Sequence, residues 1–178
     1  MDDSTPRGLL LSGIYGTGKS SVAEEIATIL EDRGTPYAAI DLDWLAWSNG
    51  PGAGHDDSTL LARNLGAMMA NYRDAGVRRF VLAGAVADAA ELAAIRAAIA
   101  MPLHVVRLTA PIEAIEARLG GSPTAARADD LATAREWLAA GTGVGLEDAA
   151  VDNVGPIRAT ALEVLKVIGW DPSSELGL

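Results

Sequence analysis

Between the apolar run Leu9-Leu10-Leu11 and a stretch in which Val22, Ile26, Ile29 and Leu30 recur at helical spacing lies the segment Gly13-Ile14-Tyr15-Gly16-Thr17-Gly18-Lys19-Ser20. Glycine at its first and sixth positions, followed by Lys and Ser, is the pattern of a phosphate-binding loop, and a strand before it with a helix after it is the setting that loop requires. Successive backbone N–H groups and the helix N-terminus then converge on phosphate oxygens. Lys19 is placed to reach the β- and γ-phosphates, and the Ser20 hydroxyl to ligate Mg²⁺. The expected nucleotide contacts are Gly13, Tyr15, Gly16, Thr17, Gly18, Lys19, Ser20 and Ser21, and the expected ligand is ATP or GTP. The competing reading is a glycine turn with a surface lysine. Lys19 and Lys166 are the only lysines among 14 basic residues, so a lysine at this position is more informative than usual.

Short apolar runs alternate with helix-length amphipathic stretches along the rest of the chain, the pattern of strand-helix units around a mainly parallel sheet. Strands are expected at Leu9 to Leu11, Tyr37 to Leu42, Phe80 to Leu82, Leu103 to Leu108 and Ala149 to Val151. Helices are expected after the glycine loop, over Ser58 to Ala75, Asp88 to Ala100, from Pro111 to Gly120, over Asp129 to Ala140 and over Pro156 to Ile168. The loop from Ser48 to Asp57 and the Gly-, Ala- and Ser-rich stretch from Gly120 to Ala128 stand out, the latter as a candidate mobile lid. A chain of 178 residues without repeats or a linker is expected to form one domain.

Asp41-Leu42-Asp43 falls at the end of the second strand. Alternation puts both carboxylates on one side, beyond the edge where ligands of open α/β sheets bind. One is suited to accept the proton of an acceptor hydroxyl and the other to hold Mg²⁺ or a second hydroxyl, with Asp41 favoured for the metal and Asp43 for the acceptor. A solvated strand end, or Asp43 capping the turn that follows, is the bland alternative. Trp44 and Trp47 follow directly and are candidates to wall an acceptor pocket, with core packing as the equal competitor. His55, in the loop, is expected to be exposed, and Trp170 to anchor the core.

Composition narrows the partners. Fourteen Lys and Arg against 24 Asp and Glu give a net charge of −10, a field that disfavours nucleic acid and anionic lipid surfaces. With no cysteine there is no thiolate chemistry, and no basic, apolar leader opens the sequence, so a cytoplasmic protein is expected, as a monomer or homodimer.

Together these residues resemble the small P-loop kinases, the group of shikimate kinase, gluconate kinase, chloramphenicol phosphotransferase and the nucleoside monophosphate kinases. The resemblance spans nearly the whole chain in element order, and its specific part is the phosphate loop. It implies a three-layer P-loop NTPase fold, with a five-stranded sheet flanked by helices and a short lid. It also implies ATP-dependent phosphoryl transfer to a hydroxyl of a small molecule. Asp41-Leu42-Asp43 looks like the D-x-D of shikimate kinases, and Ala83-Gly84-Ala85 stands at the glycine-rich turn against the acceptor. By the same resemblance Arg118 stacks on adenine opposite Asp152-Asn153 and Pro156, Arg127 is the lid arginine, and Arg135 binds an anionic acceptor or a phosphate. The chain departs from the wider group in having no Asp after the third strand, which leaves the metal to Ser20, Asp41 and Asp43. A nucleotide kinase and a nucleotide-dependent regulatory module without transfer activity are the alternatives.

Overall fold

The computed structural model describes residues 5–47, 57–120 and 125–170, with 57 and 125–128 described in backbone only. Five strands, β1 (Arg7–Ser12), β2 (Tyr37–Asp41), β3 (Arg79–Ala83), β4 (Leu103–Thr109) and β5 (Ala149–Asp152), form one sheet in the order β2-β3-β1-β4-β5. Every pairing is parallel. Six helices accompany them: α1 (Lys19–Asp32), α2 (Asp57–Asp74), α3 (Ala89–Ile99), α4 (Ile112–Gly120), α5 (Ala125–Ala140) and α6 (Ile157–Val167). Parallel neighbours need crossovers, and the crossovers carry helices that cover both faces.

The central strand shows why the sheet is enclosed. Leu9, Leu10 and Leu11 are all fully buried. Leu9 and Leu11 belong to the core packed by α1 and α6 through Ile26, Val164 and Leu165, whereas Leu10 belongs to the opposite core with Leu65, Met69 and Ile95 from α2 and α3. A run of three leucines therefore serves two layers. A smaller cluster, Ile115, Leu119 and Ala134, carries α4 and α5 across Ile14 and Tyr15 of the glycine loop. Trp170 is buried in the first core, as its sequence position predicts.

Two boundaries differ from the sequence reading. The strand ends at Asp41, and Leu42–Trp44 form a single 3₁₀ turn whose first N–H groups need a cap. Asp41 supplies it, its Oδ1 accepting from the Asp43 N–H at 3.0 Å. Gly120 closes α4 and α5 already begins at Ala125, four residues before the helix start expected at Asp129; residues 121–124 of the expected lid, like the loop 48–56 with His55, lie outside the described residues. Among the described residues no helix is long and apolar enough to cross a membrane.

Candidate active site

The glycine loop joins β1 to α1 at the carboxyl edge of the sheet. Gly18 is the N-cap of α1 at φ 92°, no side chain caps the helix, and its first turn holds no acid. A helix start with no side-chain cap and no acid of its own in the first turn leaves its N–H groups suited to an anion. A Cβ on Gly18 would lie 2.5 Å from Asn153 Nδ2, so both backbone and space demand glycine here. Thr17 braces the loop by donating from Oγ1 to Ile14 O at 2.8 Å. Ser21 is exposed in the first turn of α1.

Lys19 is only 8% exposed. Its Nζ donates to Gly13 O at 2.9 Å and to Ile14 O at 3.2 Å, and lies 5.2 Å from the centre of the Tyr15 ring. The ammonium thus occupies the loop's own carbonyls. Burial pulls its pKa below the ordinary lysine value, while Asp43, Asp41 and Asp130 act in the other direction.

Asp41 and Asp43 converge on this lysine by a different route from strand alternation. Ser20 Oγ donates to Asp41 Oδ2 at 2.9 Å, while the other oxygen of Asp41 caps the 3₁₀ turn that carries Asp43. In the sheet register Asp41 pairs with Ala83, the last residue of β3. Asp41 therefore lies one strand over from the end of β3, where the sequence has no acid. Burial, then Asp41 and Asp130, push the Asp43 carboxyl above the ordinary carboxylate range against the opposing pull of Lys19.

Three residues that the sequence reading passed over complete this surroundings. Asp130, Ala134 and Trp137 lie on one stripe of α5 at i, i+4 and i+7; Ala134 packs behind the loop and Trp137 meets the Tyr15 ring at 6.1 Å between centroids. Asp130 acts electrostatically on Lys19, Asp43 and Tyr15. An acid on the same stripe as a buried Ala and a Trp was the available signal. Glu91, in the first turn of α3, accepts from the Ala87 N–H at 2.8 Å and acts on Tyr15, whose pKa is raised by burial first and then by Asp43, Asp130 and Glu91.

On the other flank, Arg118 donates to Gly16 O at 3.1 Å and to Asn153 O at 2.7 Å, tying α4 to the loop and to the end of β5. Asn153 is fully buried. Its Nδ2 donates to Thr17 O at 2.8 Å, and its Oδ1 accepts from Thr160 Oγ1 at 2.9 Å. Asn153 is thus a strut beneath the loop, with no exposed surface to offer a base. Pro156, the exposed N-cap of α6, follows it.

The expected acceptor residues divide. Gly84 is buried, and a Cβ there would sit 2.9 Å from Leu42, so its glycine permits the close approach of the post-β3 turn to the 3₁₀ turn. Trp44 is 68% exposed and Trp47 74%, and their rings stack at 4.9 Å between centroids, so core packing does not account for them. Arg135 is paired with an acid the sequence reading did not name. Its Nε and Nη2 both donate to Glu116 Oε1, at 3.1 and 2.7 Å, because α4 places that carboxylate beside it. Arg127 lies in the first turn of α5, and its side chain is outside the described residues.

A cavity of about 70 Å³ opens between the loop and α5, lined by Gly13, Ile14, Val86, Arg107, Trp137 and Thr142 among others. The Arg107 guanidinium in its wall donates from Nε to Glu147 Oε1 at 2.7 Å. Burial alone would raise the Glu147 pKa, but its own and the Gly145 N–H groups, together with Arg107, outweigh this and hold it below the ordinary value. Among the described residues no three acids or histidines cluster to hold a metal unaided.

No family model matches the sequence, and no curated protein sequence matches it either. Solved structures do match. A sugar kinase from Janibacter sp. HTCC2649 is similar at TM-score 0.67 and 19% identity, over 94% of this chain and 97% of that one. The Mycobacterium tuberculosis APS kinase, in complex with AMPPNP and APS, is similar at TM-score 0.61 and 22% identity, over 93% and 98% of the two chains. Shikimate kinase from Acinetobacter baumannii, in complex with shikimate, follows at TM-score 0.55 and 18% identity, over 98% and 97%. The glycine loop, the five-stranded parallel sheet and these neighbours agree: the chain has the fold of the P-loop small-molecule kinases.

Proposed function

We propose that the chain is an ATP-dependent phosphotransferase that moves the γ-phosphoryl group to a hydroxyl of a small molecule. The observation that carries this is the hydrogen bond from Ser20 to Asp41, with Asp43 one turn on and Lys19 between the acids and the loop. A nucleotide sensor needs the loop alone; the second acid has a use only where a hydroxyl must lose its proton.

The loop N–H groups and the α1 N-terminus hold the phosphates, and Lys19 exchanges the Gly13 and Ile14 carbonyls for β- and γ-phosphate oxygens. Ser20 and Asp41, a hydroxyl and a carboxylate already 2.9 Å apart, suit Mg²⁺, which takes one or two protein oxygens and leaves its other positions to phosphates and water. When bound, the ion would neutralise charge on the phosphates. Asp43 accepts the acceptor proton as the hydroxyl oxygen bonds to the γ-phosphorus. The bond from that phosphorus to the β,γ-bridging oxygen breaks, its electron pair leaves with ADP, and the proton passes from Asp43 to solvent. Arg118 and Pro156 flank the place for the base, Asn153 supports the loop beneath it, and Trp44 and Gly84 border the acceptor side. Arg127 is proposed as the cation that closes on the transferred group.

Two measurements test this together. Calorimetric titration with a non-hydrolysable ATP analogue and Mg²⁺ is expected to show binding that Lys19→Ala abolishes. ATP consumption is expected to rise at least tenfold when a pool of hydroxylated small molecules is added. Binding without any acceptor-dependent turnover would leave a nucleotide-binding module in place of a kinase.

A further inference from the structure

We propose, on the basis of the transferase reading, that the acceptor is a hydroxyl-bearing ring compound without an anionic group, lying flat against the Trp44–Trp47 pair. The acceptor side of the loop is lined by acids. Asp41 and Asp43 stand beside Lys19 from the end of β2, Asp130 faces them from α5, and Glu91 stands near Tyr15 at the start of α3.

An anionic acceptor needs cations, and three of those on the surrounding elements are engaged. Arg118 is bound to two loop and strand carbonyls, Arg135 to Glu116, and Arg107 to Glu147 at 2.7 Å. Arg63 is exposed on α2. Lys19 is the cation whose charge acts on Asp43, and it also lies 5.2 Å from the centre of the Tyr15 ring. With Lys19 committed to nucleotide phosphate, a carboxylate or phosphate on the acceptor would meet Asp43, Asp130 and Glu91, with Arg63 left as the offsetting cation among the described residues of these elements.

The aromatic pair supplies what the charges do not. Trp44 sits in the same 3₁₀ turn as Asp43, and its ring stacks on that of Trp47 while both remain mostly in solvent. Two large indoles left in water beside a base are suited to take a flat ring or the C–H face of a sugar, which would set a hydroxyl toward Asp43.

The test is a panel of matched hydroxylated rings, each as the neutral, amine-bearing and carboxylate-bearing form, incubated with Mg²⁺-ATP and read by mass spectrometry for phosphate esters. Neutral or amine-bearing members are expected to be phosphorylated with kcat/KM at least 100-fold above their carboxylate partners. Asp130→Asn is expected to narrow that ratio, and Trp44→Ala to raise KM for the neutral ring more than it lowers kcat. A carboxylate member used within tenfold of its neutral partner would overturn the charge assignment and leave the kinase reading standing. Nucleotide binding with no ester in any class would overturn the kinase reading and this inference with it. A second measurement needs no acceptor: in Trp137→Phe, where the remaining Trp170 is buried, the Stern–Volmer constants of Trp44 and Trp47, each normalised to that of free N-acetyltryptophanamide, are expected to be several-fold lower for iodide than for caesium, with neutralisation of Asp43 narrowing the gap. Equal normalised constants would contradict an acidic surround.

Discussion

Replacing Asn153 by Ala removes the strut beneath the phosphate loop, and its cost follows from what the side chain holds. Two hydrogen bonds are lost, one to Thr17 O at 2.8 Å and one from Thr160 Oγ1 at 2.9 Å. Asn153 is 0% exposed, Thr17 1% and Thr160 3%, so water has little access to the groups left behind. Each orphaned buried polar group costs about 1–3 kcal/mol, and partial relaxation brings the expected total to about 2–4 kcal/mol. In a domain of this size that lowers Tm by about 5–15 °C. Because the Thr17 carbonyl is part of the loop, affinity for a non-hydrolysable ATP analogue is expected to fall about tenfold as well. Asn153→Asp separates the two bonds: it keeps the acceptor for Thr160 but sets a carboxylate against Thr17 O. Its deficit should therefore shrink as pH falls and the protonated acid becomes a donor. Denaturant unfolding followed by circular dichroism, with calorimetric titration of nucleotide, measures both effects. A loss below about 1 kcal/mol with unchanged nucleotide affinity would refute the strut.

Lys19→Ala is expected to abolish transfer while the protein still folds, since its Nζ bonds only to loop carbonyls; turnover near wild type in a folded variant would remove the phosphate-loop assignment. Asp43→Asn is expected to lower kcat by roughly 10²- to 10⁴-fold with little change in nucleotide affinity. The acid limb of the pH–rate profile, where activity falls as Asp43 takes up a proton, should lie above the ordinary carboxylate range and vanish in that variant. The same raised pKa carries a stability consequence: the charged form is disfavoured in the folded state, so Asp43→Asn should be the more stable protein at neutral pH. The gain should disappear at acid pH, where wild-type Asp43 is protonated, as differential scanning calorimetry would show. Gly84→Ala is expected to destabilise the protein by about 1–3 kcal/mol through overpacking against Leu42, measured by denaturant unfolding.

The elements and the phosphate loop were legible because each rests on local pattern. Leu9 to Leu11, the glycine turn and the α1 periodicity are contiguous in sequence and together specify a strand, a loop and a helix. The acid pair was legible in identity but not in geometry, since alternation carries no information about where a strand stops. Asp41 ends β2 by capping the next turn, and only the register shows that it lies opposite Ala83 at the end of the neighbouring strand. The partner that Arg135 has in this structure was not legible for a related reason. Whether an arginine on α5 faces a ligand or Glu116 on α4 depends on the packing of two helices, a long-range fact no local window contains. Asp130 was overlooked although its stripe with Ala134 and Trp137 is readable, because an acid on a helix is ordinarily solvated.

The central claim is tested most directly by following the label of γ-³²P-ATP. Incubated with Mg²⁺ and neutral hydroxylated rings, the wild-type protein is predicted to place the label in an organic phosphate ester, and Lys19→Ala to place none there. Label appearing only as inorganic phosphate, at a rate indifferent to every acceptor, would contradict it.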